Sequence, residues 1–185
     1  MFSTLKVDFG RYYEYLPSFH SCWNRMLFFL SCQGLWAIVD YRWRRWLLTQ
    51  PKITRRALWV PTFFAHIFTQ TLTGISLPTG CQIGKGLYIG HFCGIFVHDT
   101  VVIGENCNLS QGVSIGLGGG VHNDAAPRLG NQVYIGAGAK VLGDITLGDR
   151  VRIGANAVVL TSIPDGATAV GIPARVIQKE QRGNQ

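Results

Sequence analysis

The chain has 185 residues, a net charge of +7 and 47 % hydrophobic residues, which is enough for one domain with an appendage and a core of its own. Its longest apolar run, residues 26–39, contains Ser31 and Gln33 and is too short to cross a bilayer. The first residues also lack the basic segment, apolar segment and cleavage site of a secretory leader.

The two halves differ. Residues 1–70 hold all five Trp, only two of the 23 Gly, and nine Lys/Arg against three Asp/Glu. Residues 71–185 hold the other 21 Gly and eight Lys/Arg against seven Asp/Glu, so a boundary falls near residues 70–75. The five cysteines (Cys22, Cys32, Cys81, Cys93, Cys107) show neither CxxC pairs nor zinc spacing. They read as reduced thiols of a cytosolic chain with packing roles, and a catalytic thiol at Cys93 is the sharper alternative.

In chain order, residues 18–50 are predicted helical. Trp23, Met26, Leu27, Leu30, Leu35, Ile38, Val39, Trp43, Trp46 and Leu47 recur at spacings of three and four until Pro51 ends the pattern. A second helix is predicted over about 54–72. Arg42, Arg44 and Arg45 interleave with Trp43 and Trp46. Two readings stand for this region: a cap over the open end of the Gly-rich half, or a basic, aromatic surface for lipid headgroups. No nucleic-acid-binding motif accompanies the charge.

From residue 77 a branched aliphatic residue recurs every six positions: Leu77, Ile83, Ile89, then Val97, Ile103, Leu109, Ile115, then Leu129, Ile135, Val141, Leu147, Ile153, Val159. A fixed short period predicts a solenoid. Each hexapeptide makes one flat face, three faces close a coil of 18 residues, and Ile135 stacks under Ile153. Gly104, Asn106, Gly136, Gly148, Gly154 and Asn156 are expected to supply the corner conformations.

Chemistry is expected where the period breaks. The first break adds two residues between Ile89 and Val97, holds His91 and ends beside His98. The second, between Ile115 and Leu129, leaves a Gly-rich loop of about eight residues with His122, Asn123 and Asp124. Histidine titrates near neutrality and suits a general base, so His91, His98 and His122 are the catalytic candidates. No metal site is expected, because the ligand-type residues lack helical i, i+4 spacing and Cys pairs.

The ordered segments Ile89-Gly90-His91-Phe92-Cys93-Gly94, Val102 to Gly116, Tyr134 to Gly143 and Val170-Gly171-Ile172-Pro173-Ala174-Arg175 resemble the serine acetyltransferase branch of the hexapeptide-repeat acyltransferases. The resemblance covers roughly residues 72–177. It implies a mainly β fold, a left-handed parallel β-helix behind a short helical region, with acetyl-CoA as donor. It also implies a homotrimer with active sites between subunits. His91 matches the family's catalytic histidine. Ala137 and Ala155 match residues lining the coenzyme groove, with Gly116, Gly136, Lys140, Gly154 and Arg175 as neighbours; Arg128 and Arg152 could also face the coenzyme phosphates. Asn123 and Asp124 fall in the acceptor loop.

The sequence also departs from the family. Its Arg-His-Pro is Ala125-Ala126-Pro127 here, and its two aspartates fall at Ser76 and Gly90. These departures resemble a short subgroup that O-acetylates sugars of capsule, exopolysaccharide or O-antigen units. The leading expectation is therefore a sugar O-acetyltransferase in the cytoplasm, at the inner membrane face, acting on a lipid-linked or polymeric saccharide. Serine O-acetyltransferase and a non-catalytic scaffold are the alternatives. The expected organisation is 1–73 helical, 74–177 β-helix with loop 116–128, and 178–185 tail.

Overall fold

The computed structural model describes residues 1–14, 22–119 and 125–177. The described chain opens with four helices: α1 (Phe2–Glu14), α2 (Cys22–Ser31), α3 (Gln33–Leu48) and α4 (Lys52–Thr73). The sequence reading missed α1 and ran α2 and α3 together across Cys32.

Short strands come next. The first turn is β1 (Ile75–Ser76), β2 (Gln82–Ile83) and β3 (Tyr88–Ile89); the second is β4 (Ile95–Val97), β5 (Val102–Ile103) and β6 (Asn108–Leu109). The third is β7 (Ser114–Gly116), β8 (Arg128–Leu129) and β9 (Tyr134–Ile135). The fourth is β10 (Lys140–Leu142), β11 (Thr146–Leu147) and β12 (Arg152–Ile153), and β13 (Val158–Val159), β14 (Thr168–Val170) and β15 (Arg175–Ile177) end the stack.

Successive strands visit three sheets in rotation. Face one is β1-β4-β7-β10-β13, face two is β2-β5-β8-β11, and face three is β3-β6-β9-β12-β14-β15. All pairings are parallel except β14 with β15, which folds back antiparallel. The fold is thus a three-faced coil of parallel sheets behind a helical region.

Register follows the repeat. Tyr134 pairs with Arg152, one 18-residue turn on. Gln82 pairs with Val102, which places the two-residue break between the first and second turns, and Val102 pairs with Arg128, which places the eight-residue loop between β7 and β8 in the third. All thirteen aliphatic positions are buried. Burying a residue of this size stabilises by roughly 1.5–3 kcal/mol, so the inward column dominates the core.

The corners correct one expectation. Asn106 and Asn156 do adopt left-handed φ, at 57° and 56°, but Gly104, Gly136, Gly148 and Gly154 do not. Those glycines serve close approach instead. A Cβ on Gly104 would lie 2.6 Å from the carbonyl carbon of Gly130 in the next turn, and one on Gly136 would lie 2.7 Å from Ala155 N.

The helices close the first turn. Its exposed strand edges would leave peptide groups unpaired, and side chains answer them. The Tyr12 hydroxyl donates to Ile89 O and accepts from Ile89 N, both at 3.0 Å. The Tyr41 hydroxyl donates to Cys81 O (2.8 Å) and accepts from Ile83 N (3.2 Å). Arg42 donates to Ile83 O (2.6 Å) and Gly84 O (2.5 Å). The fully buried Asp8 accepts from Gly86 N (2.6 Å) and Leu87 N (3.2 Å) and pairs with Arg42 Nε at 2.9 Å.

Arg44 and Arg45 likewise donate to Leu77 O and Thr79 O, and Trp43 Nε1 to Thr62 Oγ1. Arg42, Trp43 and Arg44 are thus engaged by the protein itself, while Arg45 stays exposed and Trp46 half-buried. Gly34 lets α3 lie on β3, since a Cβ there would sit 2.8 Å from Ile89 Cβ.

Candidate active site

His91 is exposed at the bend from β3 to β4, where the chain turns from face three to face one. The bend is held by Cys93 N donating to Thr73 O (2.9 Å) and Ile95 N to Gly74 O (3.1 Å). A cleft of about 180 Å³ opens beside His91 on face three, between Tyr88, Gly90, Asn108, Ser110 and Tyr134.

The same corner recurs in each turn above His91. The segments 110–112, 136–138 and 154–156 stack there, with Gly112 N donating to Cys93 O, Gly138 N to Gln111 O and Asn156 N to Ala137 O. The candidates Gly136, Ala137, Gly154 and Ala155 thus share one edge of the prism with His91. Lys140 reaches this edge from face one, but its amine is engaged by Gly112 O (2.7 Å) and Ser114 Oγ (3.0 Å).

Sequence reasoning missed Gly112 and Gly138, which with Gly94 bare this edge of side chains at φ of 72°, 73° and 69°. The signal was present: Gly112 and Gly138 lie three residues after an inward aliphatic. The matching positions at the corner from face two to face three are Gly86, Asn106, Gln132 and Arg150, with φ of 77°, 57°, 57° and 58°. After the first turn, left-handed geometry is met there without glycine. What glycine adds beside His91 is space.

His98 lies at the other end of β4. Its Nδ1 is 3.0 Å from Thr100 Oγ1 and 3.2 Å from Asp99 Oδ1. Gly116 is its neighbour in the next turn, where an added Cβ would lie 3.4 Å from His98 Cβ. Within one chain, then, His91 and His98 sit at opposite ends of the same strand. His122, Asn123 and Asp124 lie outside the described residues.

Arg175 is exposed on β15, Arg128 is exposed on face two, and Arg152 lies over the Tyr134 ring at 5.1 Å on face three. Among the described residues, no group of three His, Cys, Asp or Glu is placed to hold a metal ion.

The thiols divide by burial. Cys81 and Cys107 are fully buried, and burial pushes each thiol up to about 11. Burial likewise pushes the Tyr41 phenol up to about 12 and Tyr12 higher still. Cys93, expected to pack inside, is instead exposed, at φ 85°.

Comparison with known proteins agrees with this architecture. Residues 126–161 match the family model of the bacterial transferase hexapeptide (six repeats). The chain is 38 % identical to the serine acetyltransferase of Synechococcus elongatus over 97 % of its own length and 70 % of the relative's. It is 38 % identical to that of Helicobacter pylori strain J99 over 89 % and 91 %.

Among solved structures, the serine acetyltransferase of Brucella abortus in complex with coenzyme A superimposes with a TM-score of 0.78 at 31 % identity, covering 95 % of this chain and 66 % of that one. Soybean serine acetyltransferase complexed with serine gives 0.77 at 31 %, covering 95 % and 68 %. This chain thus spans about two thirds of the length of those solved chains.

Fold and repeat together define a hexapeptide-repeat transferase. The near full-length identity narrows the class, and the chain belongs to the serine acetyltransferase family. The same identity overturns the expected polysaccharide subgroup and its sugar acceptor: the relatives it joins are serine acetyltransferases, along the helical region as well as the repeat.

Proposed function

We propose that this protein is a serine O-acetyltransferase that uses acetyl-CoA, with His91 as the general base. One observation carries the reading: a chain with near full-length identity to serine acetyltransferases places His91 at the foot of an edge cleared by Gly94, Gly112 and Gly138. That edge fits a long, thin donor lying against the backbone. Gly136, Ala137, Gly154 and Ala155 would line it, and Gly116, Lys140 and Arg175 would flank it.

The neutral imidazole of His91 takes the proton of the serine hydroxyl as that oxygen attacks the thioester carbonyl. Backbone N–H groups of the edge stabilise the oxyanion. Collapse expels the coenzyme thiolate, which recovers the proton from His91, and O-acetylserine leaves. With Ala126 in place of the family's acceptor-binding histidine, His122 is assigned that role from four residues upstream, with Asn123 and Asp124 beside it.

We further assign a left-handed winding, units at 1–73 and 74–177, a cytoplasmic setting and a homotrimer. In the trimer, the His98–Gly116 end of one subunit completes the His91 site of its neighbour.

The test is coenzyme A release from acetyl-CoA with L-serine by the purified protein and by His91→Ala. The expected loss is on the order of 10²–10⁴. A His91→Ala protein with undiminished turnover refutes the role of His91, and a folded wild type silent on serine refutes the acceptor.

A further inference from the structure

Helix α4 is inside out for a helix in water. Its covered side, the half-buried Leu58, Thr62, His66 and Thr69 and the buried Thr73, recurs at spacings of three and four and faces α3 through Thr62 and His66. There Thr62 Oγ1 accepts from Trp43 Nε1 (3.1 Å), and His66 Nδ1 lies 2.9 Å from Asp40 Oδ2.

The opposite face carries Ile53, Val60, Phe64, Ile67 and Phe68, all exposed, up to 83 % at Ile53. Trp59 and Phe63 stack at 5.5 Å on its flank. Single exposed apolar residues are ordinary, but a contiguous apolar face marks an interaction surface. Helix α2 adds exposed Trp23, Met26, Leu27 and Leu30.

Charge chooses the occupant. Neither α2 nor α4 contains Asp or Glu, and Lys52, Arg55 and Arg56 crowd the start of α4. Asp40, the acid beneath α4, is already held by Arg44 and His66. A second copy laid parallel would set these cations against themselves. Laid antiparallel, it would offer them residues 69–73, which hold no acid. An anionic lipid surface supplies the missing counter-charge, and Trp59 suits headgroup depth.

None of the described helices is long and apolar enough to cross a membrane, so α4 would lie in the interface plane. We propose that α4, with α2, seats this protein on an anionic bilayer, apolar face down and basic end among the headgroups. The inference stands apart from acetyl transfer.

The test is co-sedimentation of the full chain with phosphatidylglycerol-containing vesicles and with pure phosphatidylcholine vesicles. Wild type is expected to pellet with the anionic vesicles and to be released by high salt. Phe64→Glu with Phe68→Glu should abolish pelleting. Arg55→Gln with Arg56→Gln should weaken it on the order of tenfold, on anionic vesicles alone. Both variants should keep the wild-type sedimentation velocity and coenzyme A release. Wild type left in the supernatant overturns the proposal. So does a smaller oligomer in Phe64→Glu with Phe68→Glu, which assigns the face to another copy of the chain.

Discussion

Asp8→Ala tests how the helices are attached to the coil. Asp8 is fully buried, and its carboxylate binds Arg42 Nε (2.9 Å) and Nη2 (3.3 Å) and two N–H groups of the first turn. Removal leaves the Arg42 guanidinium buried without counter-charge, at a cost of about 3–5 kcal/mol. It also leaves Gly86 N and Leu87 N without their partner, at roughly 1–3 kcal/mol if water cannot reach them. The unpaired guanidinium alone removes a large share of the 5–15 kcal/mol typical of a domain. With a urea slope of about 2 kcal/mol/M, the midpoint should fall by about 2 M.

All five Trp lie in the helical half, so their fluorescence reports on that region, and far-UV circular dichroism reports on the whole. The fluorescence midpoint should move at least as far as the dichroism midpoint. Replacing both partners by apolar residues, Asp8→Leu with Arg42→Met, should recover only part of the loss, because Ile83 O, Gly84 O, Gly86 N and Leu87 N still lose partners. An Asp8→Ala protein within about 1 kcal/mol of wild type would refute the reasoning.

Other outcomes rest on the same geometry. Gly112→Asn should fold, since Asn106 holds the same left-handed geometry one corner away, with a lowered Tm because its Cβ would meet Gly138 Cα at 3.3 Å, and KM for acetyl-CoA should rise at least ~10-fold; an unchanged KM removes the edge from the donor site. Iodoacetamide near neutral pH should label Cys93 well before Cys81 and Cys107, read by peptide mass spectrometry, because those two thiols are buried with raised pKa values. Stability should hold below pH 9 and fall above it. Cys81, Cys107 and Tyr41 have folded pKa values above their ordinary ones, so the stability they contribute is present below about 9–10 and is lost as pH rises toward 11–12. Urea midpoints measured across that range check the sign.

The coil was legible because its inward position is set by size and shape alone. Leu77 to Val159 mark it, and each break in their spacing became a register offset of the same length. His91 was legible for a related reason: a histidine at an interruption stands outside the wall. The edge glycines were harder to read. Gly112 and Gly138 look like any corner residue until Asn106 and Gln132 are seen meeting the same conformation with side chains. The roles of Asp8, Tyr12, Tyr41 and Arg42 were out of reach of periodicity. Each is defined by strand edges 40 to 79 residues away, and a local pattern carries no trace of so distant a partner. Helix α4 was legible only as a helix: spacing does not say which side faces in, and here hydrogen bonds to Trp43 and Asp40 turn the small polar side inward.

A stack of like coils has no natural length, yet this one is finite. Side chains from α1 and α3 close its first rung, and β15 folds back over β14 at its last. The two stops make the stack a ruler. Each turn adds about 4.8 Å, so the number of turns between them sets how far from His91 the distal end of a bound donor can be anchored. Excising residues 136–153, one full turn in register, would keep both stops and shorten the ruler by a single division.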